Sequence, residues 1–117
     1  MFLLLSIFGC KDKYEDDILG SPKMDIVSKD KLPKWINADE RIETSVPFLV
    51  QKGKWGKRTV YIIDMCEYKY NYSSEIYYEN GEHILFNNQS DYDDFHKATY
   101  KSLVVIYLFP EGFWKFL

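Results

Sequence analysis

The chain has no glycine-rich loop that could cradle a phosphate, and no excess of positive charge. A net charge of −3 gives no basic stripe of the kind that holds a nucleic-acid backbone, so nucleic acid is excluded as a partner. Histidine is scarce, with two residues, His83 and His96, at neither helical nor tight-turn ligand spacing. Asp64, Asp91, Asp93 and Asp94 are the other metal-ligand candidates. The Asp91–Asp94 run lacks the glycine and distal glutamate of a calcium loop, and helix capping accounts for it better. No metal and no cofactor are expected. The two cysteines allow at most one bridge within the chain. Internal repeats and low-complexity tracts are absent. What the chain does have is apolar and aromatic material: 46% hydrophobic and 18% aromatic residues, ten of them tyrosine. One domain with its own core fits 117 residues.

The N-terminus reads as an address. Phe2 to Phe8 form an apolar run too short to span a bilayer core of about 30 Å, but it matches a short secretory core region. Gly9-Cys10 follows at once. A lipoprotein signal peptidase requires a small residue before the cysteine, so Ile7-Phe8-Gly9-Cys10 is similar to a lipobox, although Phe8 is larger than the usual occupant. No Lys or Arg precedes the run, and we expect translation to start further upstream. Residues 1–9 are read as a signal peptide, and Cys10 as the lipidation site. Residues 10–31 are read as a charged tether, Lys11 to Asp17 being too polar to order itself. If Cys10 is acylated, Cys66 is left without a partner. If Cys10 is an ordinary residue, a bridge to Cys66 would close a long loop.

Residues 32–117 read as an α+β domain: a single, mainly antiparallel sheet of about five strands with two short helices. Pro33 suits a first helical turn, and Trp35, Ile36 and Ile42 share one face of a helix from Pro33 to about Glu43. Phe48 to Lys54 and Arg58 to Met65 form a hairpin around Gly56, with Thr59 to Ile63 apolar enough to be covered on both faces. Asn80-Gly81 predicts a type I′ turn between Glu75–Tyr78 and His83–Phe86. Ser90 and Asp93 fit a capping box, opening a helix with Tyr92, Phe95, His96 and Thr99 on one face. Leu103 to Phe109 is the most strand-like run, expected at the sheet centre because an exposed edge of that composition would aggregate. The apolar tail from Phe113 to Leu117 either packs on the sheet or forms a sticky patch.

Leu32-Pro33-Lys34-Trp35-Ile36, Trp55-Gly56-Lys57-Arg58-Thr59-Val60-Tyr61 and Tyr77-Tyr78-Glu79-Asn80-Gly81 together resemble a family of small Bacteroidota lipoproteins of unknown function. The resemblance covers about half the chain. The family's further cysteines are missing here except Cys66, and the region after Phe86 departs from it. The resemblance implies export and an α+β fold, and it carries no activity.

No catalytic residue stands out. Cys66 with His83 or His96 would be the minimum for nucleophilic catalysis, but the spacing does not bring them together, and a buried structural cysteine is the commoner case. Two matches to the N-glycosylation pattern, at Asn71 and Asn88, are accidental in a bacterial protein. The strongest binding candidates are Tyr68, Tyr70 and Tyr72, which point the same way if extended and offer rigid contact area at low entropic cost. The plain alternative is a half-buried strand face. The expectation is a lipid-anchored, non-enzymatic envelope protein of the outer membrane that binds a protein or glycan. The alternatives are an inhibitor or immunity lipoprotein against a secreted hydrolase or toxin, and a small cysteine-dependent hydrolase.

Overall fold

A computed structural model of the chain describes residues 23–38, 46–67 and 71–110. Four strands, β1 (Phe48–Trp55), β2 (Arg58–Glu67), β3 (Asn71–Tyr78) and β4 (Val104–Phe109), form one antiparallel sheet in the order β3-β2-β1-β4. A one-turn helix α1 (Trp35–Ala38) precedes the sheet, and the eleven-residue helix α2 (Gln89–Thr99) connects β3 to β4 across it. The α+β class and the first hairpin are as expected; the sheet has four strands where the sequence suggested about five. Of the helix expected from Pro33 to Glu43, the described part is α1, and residues 39–45 lie outside the described residues.

The sheet has a core on each face, and β2 feeds both. Tyr61, Ile63 and Met65 pack with Leu32, Ile36 and Tyr77 on one face. Val60 and Ile62 pack with Ile76, Ile84, Phe95 and Leu103 on the other. The unbroken apolar run of β2 is therefore a strand with no wet face. On α2, Phe95 and Thr99 are fully buried, and Tyr92 and His96 flank them, as the helical spacing predicts.

The missing fifth strand has a local cause. After the turn a single bridge, Tyr77 with His83, extends the ladder, and the Ile84 amide donates to the Ile76 carbonyl at 2.8 Å. Ile84 then turns into the α2 core and Phe86 meets Phe95 at 5.3 Å between ring centroids, so the chain leaves the sheet to roof the helix. The turn itself also differs from type I′. The Gly81 amide donates to the Tyr78 carbonyl at 2.9 Å, which makes Glu79 and Asn80 the central pair. Gly81, at φ 90°, takes the bulge position of a longer loop.

Gly81 has a second reason to be glycine: a Cβ there would lie 3.1 Å from the Trp35 ring, whose indole N–H donates to the Glu79 carbonyl at 2.9 Å. Gly81→Val combines positive φ with that contact and is expected to cost about 2 kcal/mol, lowering the melting temperature by about 10 °C. An unchanged thermal melt would contradict this account of the turn.

Two further expectations are corrected. The capping residue of α2 is Asn88, whose Oδ1 accepts from the Asp91 amide at 2.8 Å, so Ser90 lies inside the first turn and is not the cap. The strand from Val104 lies at an edge of the sheet, not its centre. Its composition is explained by burial of Val105 and Ile106 and by a cover over its outer side. The segment 23–27, read as tether in the sequence, runs parallel to β4: Val105 donates to Lys23 at 2.8 Å, and Asp25 and Val27 donate to Val105 and Ile106 at 2.9 Å each. The edge is thus masked by the chain's own backbone.

Candidate functional site

At the Trp55 end of the sheet the loop 83–86 stands away from α2 and leaves an open groove of about 690 Å³. Trp55, Tyr78 and Phe95 form its base, Ile84 to Phe86 one wall, and Asp91, Asp94 and Ala98 of α2 the other. The aromatic base is mutually braced. Trp55 meets Phe95 edge-on at 4.9 Å and 87°, and lies nearly parallel to Tyr78 at 6.4 Å and 12°. The Arg58 guanidinium sits 3.4 Å from the Tyr78 ring centroid. Leu85, on the rim, is 78% exposed, the largest exposure of any big apolar side chain among the described residues.

The placement of this groove follows from the local chemistry of three segments. The Trp55–Arg58 hairpin ends the β1–β2 ladder beside the end of β3, where Val60 faces Tyr78. The Asn88 cap fixes where α2 begins, so Asp91 and Asp94, three residues apart, share one helix face. The far end of α2 is tied down by Ser102, whose hydroxyl accepts from the Lys54 amide at 2.9 Å and donates to the Thr99 carbonyl at 2.8 Å. Gly53 lets that end approach, since a Cβ there would lie 2.8 Å from the Leu103 side chain.

Electrostatically the groove is one-sided. Its lining has two carboxylates and no Lys or Arg, and among the described residues neither Asp91 nor Asp94 has an ion-pair partner. His83, also on the lining, is held by Glu75 at 2.7 Å and stacks on Tyr77 at 4.8 Å. On the opposite face of the sheet the Tyr61 phenol is pushed above its ordinary pKa, first by burial and then by the Glu79 carboxylate.

A second polar feature lies in the sheet. Asp64, 2% exposed, accepts from the Gln51 amide at 2.9 Å and from the Ser74 hydroxyl at 2.8 Å, linking β1, β2 and β3. It is placed with hydrogen-bond donors rather than with Asp91, Asp93 and Asp94. Among the described residues no group of three His, Cys, Asp or Glu side chains is arranged to hold a metal.

The sequence-predicted site residues are only partly in view. Tyr68, Tyr70 and Cys10 lie outside the described residues. Tyr72 is in β3, opposite Cys66 in the register. Cys66 is buried and disulfide-bonded, so in this form it supplies no thiolate to either histidine. His96 is instead 3.0 Å from the Tyr92 hydroxyl. The groove was missed in the sequence because its residues come from five separate segments. The nearest available signal was Asp91 and Asp94, read there as helix-capping charges. No helix among the described residues is long and apolar enough to cross a membrane.

No protein-family model, curated protein or solved structure matches the chain. The likeness to small Bacteroidota lipoproteins therefore rests on the three sequence motifs alone.

Proposed function

We propose that the chain is a lipid-anchored domain of the bacterial cell envelope, held at the outer membrane through Cys10, which acts by binding a protein or glycan. The observation that carries the binding part is the groove: an open cleft with a braced aromatic base and an exposed Leu85 on its rim. Rigid aromatic surface with an apolar rim is the composition that concentrates binding energy at interfaces. Tyr68, Tyr70 and Tyr72 are proposed as further contact residues. Export is supported by Gly9-Cys10 after the apolar run, and by a disulfide at Cys66, a bond that persists in oxidising compartments.

That same disulfide favours a second reading of the anchor. The chain has two cysteines, and an acylated Cys10 sulfur cannot also form a bridge. Either Cys66 is bridged to another molecule while Cys10 carries lipid, or the domain is exported without lipid and Cys10 closes on Cys66.

Binding is tested with the full chain as bait on detergent-solubilised membranes of the source cell. Leu85→Asp should reduce capture of the partner at least tenfold, because Leu85 contributes little to the core, while the melting temperature stays within a few degrees. The double change Tyr70→Ala, Tyr72→Ala should also weaken capture, with a central aromatic anchor costing about 2 kcal/mol in binding. Capture unaffected by either variant would refute binding through these surfaces.

A further inference from the structure

We propose that the groove takes a cationic side chain, an arginine or lysine carried on a basic segment of a partner protein; this rests on the binding role proposed above. Charge complementarity is the first ground. Asp91 and Asp94 face the cleft from one helix face, no Lys or Arg lines it, and neither carboxylate has an ion-pair partner among the described residues. A cation entering there neutralises charge that a neutral ligand would leave uncompensated.

The base of the cleft is the second ground. Aromatic faces attract cations through the ring quadrupole, and more strongly where water is displaced. The fold already contains such a contact beside the cleft: the Arg58 guanidinium lies 3.4 Å from the Tyr78 ring centroid. Trp55 and Phe86, 6.1 Å apart and inclined at 54°, offer further ring surface. Carboxylates on one wall and rings at the base form the two halves of a site for a flat guanidinium, whose N–H groups reach the carboxylates while its face lies on a ring. Ala98, one turn beyond Asp94, leaves room for the aliphatic stem. A cleft of about 690 Å³ is within the range of small-ligand sites and holds a few residues of an extended peptide.

The test uses the ¹⁵N-labelled full chain and three probes: acetyl-Gly-Arg-Gly-Arg-Gly-amide, the same peptide with citrulline for arginine, and chitotriose as a neutral glycan. The arginine peptide should shift the amide signals of Leu85, Phe86, Asp91 and Ala98, weakening as salt is raised. The citrulline peptide should bind at least tenfold more weakly. The double change Asp91→Asn, Asp94→Asn should weaken the arginine peptide by a similar factor with the rest of the spectrum unchanged. Equal binding of arginine and citrulline peptides, or no effect of the double change, would overturn the proposal. So would chitotriose shifting these signals while the arginine peptide does not, an outcome that leaves a glycan-binding domain intact. If no probe shifts them, the cationic site is refuted, and the capture experiment with Leu85→Asp decides separately whether the groove binds anything.

Discussion

Phe95→Ala is expected to remove about 3 to 5 kcal/mol of stability. Phe95 is fully buried and is where α2 meets the sheet, packed with Val60, Ile62, Ile76, Ile84 and Leu103. Its ring also braces Trp55 at 4.9 Å and Phe86 at 5.3 Å. Truncation loses the transfer energy of the ring and leaves a cavity that these neighbours cannot close without leaving the sheet. Domains of this size have about 5 to 15 kcal/mol in total, so the variant should melt at least 12 °C below wild type. Phe95→Leu keeps much of the volume and should cost less than half as much. A loss under about 1 kcal/mol for Phe95→Ala would mean that α2 does not dock as described. Since Phe95 is also the base of the groove, binding and stability should fall together in this variant, whereas Leu85→Asp should separate them.

Asp64→Ala should cost about 2 to 4 kcal/mol, although it removes a charge from the interior. The carboxylate accepts from Gln51 and Ser74, and its loss leaves both donors without this acceptor; leaving a buried polar group unsatisfied costs about 1 to 3 kcal/mol. Asp64→Asn is the informative contrast. It keeps one acceptor oxygen, and the Gln51 amide can reverse to accept from the new NH₂, so the cost should be clearly smaller. Chemical denaturation of the three proteins checks the order wild type, Asn, Ala. Equal losses for Asn and Ala would show that the negative charge itself, rather than the hydrogen bonds, stabilises the sheet.

The elements most legible in the sequence were those fixed by short-range chemistry. The Thr59–Ile63 run could only be a strand covered on both sides, and Phe95 with Thr99 marked the buried face of α2 by spacing alone. Errors arose where distant segments competed for the same partner. Ile84 and Phe86 alternate like a strand, but Phe95 draws them off the ladder. The strand beginning at Val104 has the composition of a central strand, yet its outer side is covered by 23–27, a segment whose polarity gave no sign of docking. Asn88 captured the helix start because its side chain reaches the Asp91 amide two residues before the Ser90 motif could act. The groove was least legible of all, since one-sided charge and braced rings are properties of an assembled surface and not of any local motif. Conversely, the anchor is legible only in the sequence: Gly9-Cys10 and the acidic tether lie outside the described residues.

The central claim, an exported domain anchored through Cys10, is tested most directly by mass spectrometry of the protein isolated from membranes of its source cell without reduction. The account predicts a mature chain that begins at Cys10, with the mass of a diacylglyceryl group on that residue and its loss in Cys10→Ser. A peptide in which Cys10 is disulfide-linked to Cys66, with no acylated form present, would contradict the anchor.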